Sequence, residues 1–213
     1  MIREAYATPE QLYAVKQRWA QLFGDGRIPG LEPYTGIGKT LGSTPAFCSR
    51  YNAMQFLALL SLSHDPGKVS MEKVDMEILR ENQILKGIKV IDLGCGHIPS
   101  FARCARAFGA QAYTADIIGA HEFAYFDGFD DGMVAAERQN HVQVDLRRDS
   151  SIDQILKSAQ GHFDVVTSSM LKDEASRYGK VIEAPHNVEK IAVSLLKPRG
   201  IYYQAEKDRV VVK

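Results

Sequence analysis

Residues 90–100 read "VIDLGCGHIPS", an apolar run that breaks at Gly94 and Gly96 and then meets Pro99 and Ser100. A short Val/Ile run followed by glycines and helix-starting residues reads as strand, tight turn and helix. In open α/β sheets such a turn lies where a ligand meets backbone amides, because absent side chains allow the close approach. The residues around the turn therefore decide both the architecture and the ligand class.

Downstream, the same rhythm repeats. Strands are expected at 88–93 (IKVIDL), 110–116 (AQAYTAD), 141–145 (HVQVD), 163–169 (FDVVTSS) and 200–206 (GIYYQAE). Helical stretches fall between them at 100–109, within 119–138, at 150–161 and at 187–200. This alternation predicts an α/β fold with a doubly wound, mainly parallel sheet, and continuous runs such as "KVIDL" suit strands covered on both faces. Only seven residues, "KDRVVVK", follow the fifth strand, so the C-terminal edge is expected to be truncated, or covered by the N-terminal segment or another subunit.

Residues 1–86 have a different texture and are read as a helical segment preceding an α/β core over 87–213. In "TPEQLYAVKQRWAQLF", Thr8 suits a cap, Pro9 the first helical position and Gln11 a capping box. Further helices are expected from Thr44 to about Leu60 and from Ser70 to Gly87. The intervening "GIGKT" at 36–40 imitates the end of a phosphate loop, but Pro33 replaces the required glycine and no strand precedes it.

Three ligand classes compete for the 94–99 turn. A dinucleotide site with G-x-G-x-x-G spacing needs glycine at 99, where the chain has Pro99. A nucleoside triphosphate site needs Lys and then Ser or Thr after the glycines, and neither follows. The third class enters by resemblance. Residues 90–117, "VIDLGCGHIPSFARCARAFGAQAYTADI", resemble the first motif and second strand of the class I S-adenosylmethionine-dependent methyltransferases. "FDVVTSSML" is similar to that family's fourth-strand motif, and "SLLKPRGIYYQAE" to its turn into the fifth strand.

The resemblance implies a Rossmann-like core with S-adenosylmethionine as cofactor. It puts Asp92 beside the methionine part, Gly94 and Gly96 under the cofactor, and Asp116 on the ribose hydroxyls. Asp145 and Leu146 take places near the adenine, and Leu93, Cys95, Ile117 and Ser168 complete the cofactor-binding set. At 98, where the family often has a third glycine, the chain carries β-branched Ile98. Candidate proton acceptors on the rim are His97, Lys172, Asp173 and Glu174. The implied activity is methyl transfer to an O, N or C nucleophile of a small molecule or protein. The alternative is a non-catalytic cofactor- or partner-binding protein on a degenerate methyltransferase fold.

Composition bounds these readings. Lys plus Arg equals Asp plus Glu at 26 each, so no long-range basic field points to nucleic acid. The Asn-Pro-Pro-aromatic element of enzymes that methylate base amino groups is missing after the fourth strand. Cys48, Cys95 and Cys104 lie in separate segments, which gives neither a disulfide framework nor zinc spacing, and no metal site is expected. No signal peptide or membrane-length apolar run is visible, so a cytoplasmic protein is expected. The N-terminal helices are expected to supply acceptor specificity or a homodimer contact.

Overall fold

The computed structural model describes residues 83, 85–125, 131–168, 184–204 and 209–213. The helices expected before residue 83 lie outside the described residues, as do Lys172, Asp173 and Glu174, while residues 83 and 85–87, expected to end the third helix, form a turn.

The Val/Ile run forms β1 (Lys89–Leu93), the glycine turn follows, and α1 (Ser100–Ala107) leads into β2 (Gln111–Asp116). A short 3-10 turn (Ala120–Glu122) and α2 (Asp131–Gln139) connect to β3 (His141–Gln143). Then come α3 (Ser151–Ala159), β4 (Phe163–Ser168), α4 (Ala184–Leu195), β5 (Leu196–Gln204) and β6 (Arg209–Val212). The sheet order is β3-β2-β1-β4-β5-β6, with every pair parallel except β5 with β6. This is the expected doubly wound sheet. The chain steps outward from β1 to β2 and β3, returns, and steps the other way through β4 and β5. Its switch point lies between β1 and β4.

Strand residues alternate between two covered faces. Ile91, Leu93, Val166 and Tyr202 share one core cluster with Ile155 of α3 and Ile191 of α4. Helix α3 presents Ile155 and Ala159 at helical spacing, and its end is set by Gln160 in the left-handed conformation at φ 55°. Helix α1 packs on β1 and β2 and buries Phe101, Ala102 and Ala105. Each fully buried Phe, Ile or Leu in these layers contributes about 1.5–3 kcal/mol by leaving water.

One expectation is corrected at the β5 edge, that of a helix running to residue 200. Strand β5 starts at Leu196, so "LKPRG" belongs to the strand as an irregular bulge: Phe163 pairs with Leu196, but Val165 pairs with Ile201. Arg199 takes φ 64° there and its N–H donates to the Lys213 carbonyl at 3.0 Å. Among the described residues, the β5 edge carries one further strand. "RVVV" forms β6, antiparallel to β5 from Ile201↔Val212 to Gln204↔Arg209. β-branched residues suit an extended edge, and the bulge receives the last residue through a Lys213 N–H to Gly200 carbonyl bond of 3.0 Å. Among the described residues, no helix is long and apolar enough to cross a membrane.

Candidate functional site

In doubly wound sheets the ligand crevice lies at the carboxyl ends of the strands beside the switch point. Here that place is formed by the ends of β1 and β4, where Leu93 pairs with Ser168, together with the end of β2 at Asp116. The structure thus gathers Asp92, Leu93, Gly94, Cys95, Gly96, Asp116, Ile117 and Ser168 at adjoining strand ends and the turn that follows β1.

The turn is built on two left-handed residues, Gly94 at φ 69° and Gly96 at φ 62°. Ile98 is not among the positive-φ residues, so its β-branch is accommodated without strain. Gly94 N–H extends the β1–β2 ladder to the Ala115 carbonyl at 2.8 Å. Gly96 N–H reaches the Asp116 Oδ2 at 2.8 Å, which ties the turn to the end of β2. A Cβ added at Gly96 would meet nothing within 4 Å, so the space over this residue is open. Pro99 occupies the N-cap of α1, no side chain caps that helix, and no acid lies in its first turn.

The Asp116 Oδ1 also accepts from Ile117 N–H at 2.6 Å and Ile118 N–H at 3.2 Å. Three of its roughly four lone-pair sites are therefore in use, and Oδ2 retains room for one more donor. Next to it, Ile117 is 56% exposed, the one large apolar side chain left open among the described residues. Asp92 is 4% exposed and accepts a hydrogen bond from Thr167 Oγ1 at 3.0 Å. Burial pushes its carboxyl up to about 7; the Thr167 hydroxyl opposes that shift, and the negative charge of Asp116 adds to it. Burial and the same two carboxylates push the Cys95 thiol well above its usual value.

Of the rim candidates, His97 is described and is exposed. Its Nδ1 lies 3.1 Å from the Glu122 carbonyl, an acceptor only, so the network places a proton on Nδ1 and leaves Nε2 outside that bond. Ala124 N–H donates back to the His97 carbonyl at 2.8 Å, fastening residues 122–124 to the turn. Ser168 is fully buried and shares a 2.7 Å hydrogen bond with the Tyr202 hydroxyl.

Asp145 is occupied locally. Its Oδ1 accepts from Arg147 Nε at 2.6 Å and from Arg147 N–H at 3.1 Å, and its Oδ2 from Arg147 Nη2 at 2.7 Å. Those hydrogen bonds hold its carboxyl down to about 2. Leu146, beside it, packs partly buried against the core cluster, with its backbone in the same turn.

Three supporting groups escaped the sequence reading. Thr167 reaches Asp92 only because β4 pairs with β1 in the register Asp92↔Thr167, which strand alternation alone does not give. His141 accepts from Thr114 Oγ1 at 2.9 Å and donates Nε2–H to the Ile118 carbonyl at 2.9 Å, fixing the loop after Asp116. Burial lowers its pKa, in keeping with this neutral form. Arg103 of α1 pairs with Glu137 of α2 at 2.7 Å, both side chains buried, and donates to the Ala124 carbonyl at 2.9 Å. An amphipathic reading of α1 places Arg103 in solvent, so no sequence signal marked it.

No family model matches the sequence, and no curated protein matches it. Among solved structures, one similar chain is the MycE methyltransferase from the mycinamycin biosynthetic pathway, solved in complex with Mg and SAH. The identity is 16%, the TM-score is 0.37, and the match covers 76% of this chain and 38% of MycE. A second is an O-methyltransferase family protein from Burkholderia thailandensis, at 17% identity and TM-score 0.35, with 92% of this chain and 51% of that one covered. This chain thus spans about two fifths of the first and half of the second.

Proposed function

We propose that this chain binds S-adenosylmethionine at the β1–β2 turn and transfers its methyl group to an oxygen, nitrogen or carbon nucleophile of a small molecule or protein. The observation that carries this reading is the Gly96–Asp116 link: an open, left-handed glycine bonded to a buried carboxylate that keeps one acceptor site. The residues present fit the cofactor. Asp116 has the acceptor for a ribose hydroxyl, exposed Ile117 offers an apolar surface beside it, and Asp92 offers a carboxylate for an ammonium group. The uncapped first turn of α1, free of acids, suits the negative end of an amino acid. Leu93, Gly94, Cys95 and Ser168 shape the floor, with Asp145 and Leu146 at the end of β3 on the adenine side.

When bound, the cofactor's sulfonium supplies an electrophilic methyl group. The protein's share is orientation of the acceptor and exclusion of water. His97 is proposed as the proton acceptor through Nε2, because Nδ1–H is committed to the Glu122 carbonyl. Lys172, Asp173 and Glu174 remain candidates for the same rim.

Calorimetric titration of the folded protein with S-adenosylmethionine and S-adenosylhomocysteine tests the reading. Asp116→Ala is expected to weaken both by roughly 10- to 100-fold, from loss of about 1–3 kcal/mol of charged hydrogen bonding. Heatless titrations with wild-type protein, or unchanged affinity in a folded Asp116→Ala variant, would remove the cofactor from this site. Turnover to S-adenosylhomocysteine with acceptor panels then separates the enzyme from a non-catalytic binder.

A further inference from the structure

Asp92 and Asp116 end adjacent regions of the sheet with unequal supplies of hydrogen-bond donors. Asp116 receives three backbone N–H groups, from Gly96, Ile117 and Ile118. Asp92 receives one hydroxyl, from Thr167, and is the more buried of the two. Among the described residues no Lys, Arg or His forms a salt bridge with either. A buried acid with a single hydroxyl donor and no cation beside it among the described residues is favoured in its protonated form.

The surroundings of Asp92 are defined on each side. On β4 its register partner is Thr167; on β2 it is Thr114, whose hydroxyl is turned to His141, a ring held neutral by burial. Cys95 in the turn is a protonated thiol, and the arginines of α1, Arg103 and Arg106, face Glu137. No described residue supplies Asp92 with positive charge, so an ammonium group brought by a ligand would stabilise its carboxylate.

We propose that Asp92 holds a proton in the ligand-free site and releases it to solvent when a ligand brings an ammonium group, with Thr167 as the positioning residue that stabilises the carboxylate formed. This rests on the cofactor reading above, since the amino-acid part of that ligand carries the ammonium. The balance is simple: the Asp92 O–H bond breaks, the proton passes to buffer, and the carboxylate pairs with the ammonium. Ligand affinity therefore falls on acidification, by about tenfold per pH unit below the titration of Asp92.

The test uses the full chain and S-adenosylhomocysteine in calorimetry across about pH 6 to 8.5, in buffers of different ionisation enthalpy. Near pH 6, about one proton is expected to leave per ligand bound, falling toward zero at the alkaline end. Thr167→Val should move the midpoint of the affinity profile up by about one pH unit, while Thr167→Ser restores the wild-type profile. In ligand-free protein, the infrared band of a protonated carboxyl should be present near pH 6 and missing in Asp92→Asn. A flat affinity profile without buffer dependence in wild-type protein overturns the proposal while leaving the cofactor reading intact, and the wild-type measurement needs no variant to fold. A Thr167→Val profile identical to wild type removes Thr167 from the role. Absence of binding at every pH sinks the cofactor reading, and the proton release falls with it.

Discussion

Arg103 and Glu137 meet through two hydrogen bonds, Nε to Oε1 at 2.8 Å and Nη2 to Oε2 at 2.7 Å, both side chains at most 1% exposed. The pair clamps α1, the helix that issues from the glycine turn, to α2. Glu137→Ala takes the carboxylate from a buried guanidinium and should lower unfolding free energy by about 3–5 kcal/mol. Urea denaturation measures this. The double replacement Arg103→Met with Glu137→Leu should recover most of the loss, because the desolvated charge disappears too. A single variant as stable as wild type would show that α2 moves away and lets water reach Arg103.

Asp92→Asn should stabilise the ligand-free protein at alkaline pH. The carboxyl titrates at about 7 when folded, against a reference of 3.8. Its contribution to stability is thus full below the lower value and lost as pH rises through the higher one. Above about pH 7 the folded state holds a buried carboxylate that an amide avoids, an advantage of up to about 4 kcal/mol for Asn. Thermal melts from acid to alkaline pH should show the two proteins diverging across this window and running parallel beyond it. Ligand affinity should drop in the same variant, and equal melting profiles would contradict the buried acid.

Gly96→Ala separates backbone strain from ligand contact. At φ 62° an alanine costs roughly 1 kcal/mol of stability, and its methyl meets no protein atom within 4 Å. Affinity for S-adenosylhomocysteine should fall further than stability does, by tenfold or more, since the added methyl lies in the open space over the turn. Gly161→Ala, at φ 128° and also without neighbours within 4 Å, is the control: strained, far from the turn, and expected to leave affinity unchanged. Equal affinity losses in both variants would mean that general destabilisation is being read.

What the sequence revealed divides along a physical line. Strands such as KVIDL and FDVVTS and helix SIDQILKSA were legible because burial of one stripe or two faces imposes a period on the residues themselves. The glycines at 94 and 96 were legible because positive φ restricts residue choice. The pairing of Asp92 with Thr167 and of Arg103 with Glu137 was not, since it depends on register and helix docking between residues 75 and 34 positions apart. Arg199 hid the β5 bulge for a related reason: a glycine commonly marks a residue at φ 64°, and here arginine holds the position. "RVVVK" was passed over because four strand residues carry little signal until β5 is there to pair with them.

If the proposed methyl donor binds at the β1–β2 turn, it meets a thiol there as well as its acceptor. Burial first, and then the negative charge of Asp116, pushes the Cys95 thiol up and keeps its sulfur uncharged. Thiolate is the form that attacks electrophilic carbon, so the burial that encloses the turn also disarms this sulfur. On the proposed function, the turn is thereby protected against methylation by its own donor.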